Sequence, residues 1–168
     1  MSNKDIDTPT NRIISSLFEK KRLIMILRYG IAYVDEINEE TGEVIIQKHI
    51  MRYPQFFATK AIARYLDAGN NRGIIWHTQG SGKTALSYYN VKYLTDYYAN
   101  KGIVPKFYFI VDRLDLAKQA RDEFRKRGLE VQTIDNKEAL IRDFASNTTT
   151  AGITVVNIQK FKDDTAVS

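Results

Sequence analysis

After residue 50 this sequence switches between short apolar runs and longer amphipathic ones, and Gly, Pro, Asp or Asn marks nearly every switch. Gly73-Ile74-Ile75-Trp76-His77 reads as a strand, and 83–99 reads as a helix carrying Leu86, Val91 and Leu94. Asn100 to Gly102 closes that helix, and Pro105 prevents its continuation. Residues 106–111 form a second apolar run. A helix follows with Leu116, Ala120 and Phe124 at i, i+4 and i+8, for which Asp112 is the expected cap. Glu130 to Ile134 and Gly152 to Val156 read as two more strands, with a short helix from Lys137 to Phe144 between them. The order β-α-β-α-β-α-β predicts an α/β fold, a parallel sheet with helices on both faces. In such a sheet ligands sit beyond the carboxyl ends of the strands.

The first 50 residues break that alternation. Residues 1–9 are polar, and Thr10 or Asn11 is placed to cap a helix through Ile13, Ile14, Leu17 and Phe18. A second helix is predicted over Lys21 to Tyr29, ending at Gly30. Ile31 to Val34 and Glu43 to Gln47 flank the polar turn Asn38 to Gly42, which predicts a β-hairpin. A helix then starts near Pro54 and presents Phe57, Ala61, Ile62 and Leu66 on one side.

Composition narrows the chemistry. The 168 residues include no Cys, which removes disulfides, thiolate metal sites and a Cys nucleophile, and two His, too few for a His-based metal centre or triad. No apolar run approaches the roughly 20 residues needed to span a bilayer. The polar N-terminus is unlike a signal peptide, so a cytoplasmic setting without membrane partners is expected. The net charge of +5 is uneven: 1–50 carries −1 and 51–168 carries +6. A basic body is compatible with polyanionic partners.

The chemistry concentrates in Thr78-Gln79-Gly80-Ser81-Gly82-Lys83-Thr84, between a predicted strand and a predicted helix. Gly80 and Gly82 allow a tight turn whose N–H groups point inward at phosphate oxygens. The helix opening at Lys83 adds its positive dipole end. Lys83 then reaches the outer phosphates, stabilising their charge, and the Thr84 hydroxyl ligates Mg²⁺. ATP and Mg²⁺ are the expected cofactors. The strict phosphate-loop pattern is not met, because His77 stands where its first Gly belongs. His77 itself reads as a structural loop residue. A Gly-rich turn without a ligand is the plain alternative.

Four blocks in order carry a family resemblance: Arg52 to Ala58, Ile74 to Thr84, Phe109 to Gln119, and Thr154 to Phe161, with Asn157 where Thr is common. Together they resemble the restriction (motor) subunit of type I restriction-modification enzymes, a superfamily 2 DNA translocase. The resemblance implies that 51–168 is the N-terminal part of a RecA-like motor domain 1, and that 1–50 is a linker segment preceding it. It gives Gln55 the adenine edge, which an amide suits because it offers a donor and an acceptor together. Arg52 and Tyr53 become candidates for stacking on the base, and the alternative for Gln55 is a surface position on an amphipathic helix. The resemblance further implies DNA-backbone contacts from Arg113, Gln119, Gln159 and Lys160. Asp112 and Asp115 have the competing role of helix capping.

By the same resemblance the intact protein couples ATP hydrolysis to translocation and cleavage of double-stranded DNA, alongside modification and specificity subunits. Hydrolysis there also needs a Walker B acidic box after an apolar strand. Asp163-Asp164 is not preceded by such a run and reads as a loop. The 168 residues are therefore expected to bind nucleotide weakly and to turn over almost none. A non-catalytic interaction module and a fragment of another superfamily 2 helicase are the alternative readings. The first of these has no need of Gly80, Gly82, Lys83 and Thr84 together.

Overall fold

The computed structural model describes residues 14–146 and 152–161, except for the side chains of 160 and 161. The expected cap at Thr10 or Asn11, the polar residues 1–9 and the Asp163-Asp164 pair lie outside the described residues.

Helix α1 (Lys20–Tyr29) starts where the Glu19 carboxylate accepts the N–H groups of Lys21 and Arg22, and it ends at Gly30. Strands β1 (Ile31–Ile37) and β2 (Val44–Ile50) pair antiparallel, with Ile31 opposite Ile50 and Ile37 opposite Val44. Asn38 Oδ1 accepts the N–H groups of Glu40 and Thr41, which closes the turn. Both strands run longer than the sequence suggested, because the ladder keeps pairing past the apolar residues. Helix α2 (Tyr53–Asp67) carries Pro54 in its first turn, where its missing N–H has no intrahelical partner to lose.

Residues 71–78 form no strand, which corrects the expectation for Gly73 to His77. A strand needs a neighbour for its N–H and C=O groups. Among the described residues no strand lies beside this segment. Its alternating side chains consequently face water, with Ile74 at 91% and Trp76 at 92% exposure.

Helix α3 (Lys83–Ala99) follows and leads through Gly102 and Pro105 to β3 (Tyr108–Val111). Helix α4 (Leu114–Lys126), β4 (Val131–Ile134), α5 (Lys137–Ala145) and β5 (Ile153–Asn157) complete the order, and a 3-10 turn covers Ile158–Phe161. The sheet is parallel with strand order β3-β5-β4. It thus has three strands among the described residues where the alternation predicted four.

Alternation along β3 shows that helices cover both faces of the sheet. Phe109 turns one way and meets Phe124 of α4, ring centroids 5.3 Å apart. Tyr108 turns the other way, donates to Asp143 of α5 and packs on Phe144. Val155 and Val156 of β5 are fully buried between these layers.

The hairpin shares this core. Ala32 and Val34 of β1 join Met25 and Ile26 of α1, Tyr88, Tyr89 and Val91 of α3, and Ala117, Ala120 and Phe124 of α4 in one buried cluster. Residues 20–51 therefore pack as part of the same body as the sheet.

Candidate phosphate-binding site

The Gly-rich loop is built for close approach by backbone. Gly80 and Gly82 have φ of +74° and +79°, a region that L side chains rarely enter. Gly82 is also the N-cap of α3, so this left-handed turn aims the first N–H groups of a 17-residue helix outward. The side chains of Lys83 and Thr84 leave from the first turn of that helix, Lys83 exposed and Thr84 half-buried. Lys83 Nζ donates to the Thr78 carbonyl at 2.9 Å, spanning the loop it belongs to. The Ser81 N–H donates to the same carbonyl at 3.3 Å. His77 Nδ1 lies 3.3 Å from Ser81 Oγ, which gives His77 the loop-bracing place read from sequence.

This arrangement fits a polyphosphate on the chemistry of its donors. The loop offers successive N–H groups, one ammonium held by a carbonyl and, among the described residues, by no carboxylate, and one hydroxyl beside the helix start. Nothing lies within 4 Å of the place a Cβ would take on Gly80, so its backbone is open to an anion. Thr78, Gln79, Gly80, Ser81, Gly82, Lys83 and Thr84 are brought together in this one turn.

Gln55 joins them from α2. It is 3% exposed, which corrects the alternative of a surface Gln on an amphipathic helix. Its Oε1 accepts the Arg52 N–H at 2.9 Å, which caps α2, and its Nε2 donates to the Gly82 carbonyl at 3.1 Å. Arg52 is the N-cap of α2, and Tyr53 is 71% exposed, its ring against Phe57.

A second polar group, missed in the sequence, sits one turn further along α2. Thr59 is fully buried and donates to Asn90 Oδ1 of α3 at 2.8 Å. Polar residues at 55 and 59, i and i+4, interrupt the buried stripe of Phe56 and Ala63, and this spacing is the signal that marks them.

The remaining candidates lie at the carboxyl edge of the parallel sheet. Val111 pairs with Asn157, so Arg113 and Gln159 each stand two residues past that register and share one edge. Arg113 Nε and Nη2 donate to Asp115 Oδ1 and Oδ2 at 3.1 and 2.6 Å. This fork, more than any other contact, holds the exposed Asp115 carboxyl below its ordinary pKa. Gln119 is exposed within α4, about 7.5 Å of helix rise beyond Leu114. Gln159 is exposed, and its N–H donates to Asn157 Oδ1 at 2.8 Å. Lys160 lies in the 3-10 turn, and its side chain is outside the described residues. The expected cap at Asp112 is corrected: the N-cap is Arg113, and Asp115 supplies the acidic group of the first turn. Arg113 takes that place because its extended backbone lets its C=O accept the Ala117 N–H.

Comparison with known proteins identifies the family. Residues 54–168 match the family model of the SWI2/SNF2 ATPase. The chain is 31% identical over 158 residues to the putative type I restriction enzyme MjaVIIP endonuclease subunit of Methanocaldococcus jannaschii, a match covering 83% of this chain and 14% of that protein. It is 34% identical over 138 residues to the type I restriction enzyme SauCOLORF180P endonuclease subunit of Staphylococcus aureus, covering 81% of this chain and 13% of that one. A third relative is the C-terminal part of the putative MpnIIP endonuclease subunit of Mycoplasma pneumoniae, 30% identical and matched over 58% of its length. The chain thus spans about one seventh of the length of the first two relatives. The matched span takes in the glycine-rich turn at 78–84, the sheet and both helical layers, and on it this chain belongs to the SWI2/SNF2 ATPase family.

Proposed function

We propose that this chain is the nucleotide-binding part of the motor of a type I restriction endonuclease subunit, and that it takes ATP with Mg²⁺ at the 78–84 turn. One observation carries the reading: two left-handed glycines set Lys83 and Thr84 on the first turn of a long helix, and among the described residues the Lys83 ammonium is held by a carbonyl of the same loop alone. A carbonyl is a weaker partner for an ammonium than a phosphate oxygen, so the exchange favours the anion.

In this reading the N–H groups of 80–84 hold the β-phosphate. Lys83 leaves Thr78 and stabilises charge on the outer phosphates. The Thr84 hydroxyl takes a place in the Mg²⁺ shell, and the metal supplies Lewis-acid neutralisation of the phosphates when bound. Arg113, Gln119, Gln159 and Lys160 contact the DNA backbone at the sheet edge, with Arg113 trading its Asp115 fork for a phosphate. In the longer protein the site drives movement along double-stranded DNA ahead of cleavage. Modification and specificity subunits are the partners and the cytoplasm is the setting. The names of the relatives and the basic charge of 51–168 support this wider frame.

Isothermal titration of the chain with Mg·ATP tests it. Binding is expected for the native sequence, and Lys83→Ala should weaken it at least tenfold, the scale of one charge-assisted hydrogen bond. Equal heats from the two proteins would remove the reading. ATP turnover by the 168 residues is expected to stay at background.

A further inference from the structure

Among the described residues the amide of Gln55 has two partners, and both are backbone. Its oxygen caps α2 through the Arg52 N–H, and its nitrogen reaches across to the Gly82 carbonyl. Gly82 is the left-handed residue that turns the phosphate loop into α3. The fit is tight. A Cβ on Gly82 would lie 2.6 Å from Gln55 Nε2, well inside contact distance. The same Gly82 carbonyl accepts the Leu86 N–H of α3 at 2.9 Å, and the buried Gln55 amide adds a second donor that fixes its direction from the side of α2. It thereby fixes the plane of the next peptide, whose N–H belongs to Lys83.

We propose that Gln55 is a positioning residue for the phosphate loop: it sets the Gly82–Lys83 peptide so that the helix N-terminus and Lys83 face the phosphates, whatever base the ligand carries. This rests on the phosphate-loop reading above, and it differs from the adenine contact that the resemblance implies for the same residue. Four residues along α2, Thr59 ties α2 to α3 through Asn90. The two ties share one face of α2. Thr59 holds the helices together, and Gln55 holds the loop.

The test compares ATP with inorganic tripolyphosphate, which has no base. Both are titrated, with Mg²⁺, into the native chain, Gln55→Met and Thr59→Val. Met keeps the length of Gln and removes both hydrogen-bonding atoms. Gln55→Met is expected to weaken ATP and tripolyphosphate by the same factor, about fivefold. Thr59→Val is expected to lower the melting temperature at least as much and to leave both affinities unchanged. A loss confined to ATP would overturn the proposal and leave the phosphate loop standing, with Gln55 on the base. Equal losses in Gln55→Met and Thr59→Val would reduce the effect to general destabilisation and overturn it as well. A native chain that binds neither ligand would remove the phosphate-loop reading itself, and this proposal with it.

Amide exchange without nucleotide gives an independent arm. In Gln55→Met exchange should quicken over 80–84 and keep the native rate over 88–94. Quickening along the whole of α3 would overturn the proposal.

Discussion

Gly80 and Gly82 look alike in the sequence, and the structure gives them different burdens. Both need a positive φ, so Ala at either place incurs the left-handed penalty of about 1–2 kcal/mol. Gly80 has open space around it, whereas a Cβ on Gly82 meets Gln55 Nε2 at 2.6 Å. Urea denaturation should therefore show Gly82→Ala as the more destabilising variant, by about one further hydrogen bond, ~1 kcal/mol. Matched losses would mean that Gln55 moves aside freely. The loop itself was legible from two glycines, a Lys and a Thr between a strand-like and a helix-like run. The contact to Gln55 was not legible, because 27 residues separate it from Gly82 in the chain.

At the scale of elements, α5 is held to the sheet by polar side chains rather than by a buried face. None of its residues is fully buried. Lys106 Nζ donates to the carbonyls of Asp143 and Ser146, which closes the helix's C-terminal end. Tyr108 donates to the Asp143 carboxylate, and burial first, then this bond, push its phenol up to about 12. An unfolded Tyr loses its proton near pH 10. Above that pH the unfolded chain gives up a proton that the folded one retains. The stability from this contact is thus whole below about pH 10 and lost as pH rises towards 12. Thermal melts across that window should fall less steeply for Tyr108→Phe than for the native chain. Tyr29, Tyr88, Tyr89 and Tyr93 are shifted upward mainly by burial, so part of the alkaline fall remains in the variant. Identical slopes would show that the phenol does not titrate with unfolding.

At the scale of the whole molecule, one core joins parts that the sequence pattern separates. The hairpin breaks the β-α alternation, which is why residues 1–50 read as a linker. Its inward side chains nevertheless meet α3 and α4. Phe124 sits in that junction, fully buried and edge-on to Phe109. Phe124→Ala is expected to cost about 3–5 kcal/mol, a large share of the roughly 5–15 kcal/mol that holds a domain of this size together. A loss of less than a third of that, taken from the urea midpoint and slope, would show the hairpin and sheet to be loosely coupled. The other side of the hairpin is open: Tyr33, Ile37, Val44, Ile46 and Ile50 are exposed, as are Ile74 and Trp76 beside the loop.

The sequence by itself determined most of the elements and the order in which they follow. Helical spacing, Gly and Pro punctuation and β-branched runs are local signals, and they placed the helices and the paired strands to within a few residues. It also determined the glycine-rich turn at 78–84, because two glycines, an ammonium and a hydroxyl within five residues are local chemistry. Tertiary structure decided what depends on neighbours. Gly73 to His77 carries a strand's pattern and forms none, since a ladder needs a partner that pattern does not provide. Gln55 became buried, and its amide was spent on the loop, because α2 folds back onto the start of α3. Pairing, burial and partner choice are properties of distance in space, and the order of residues along the chain does not carry them.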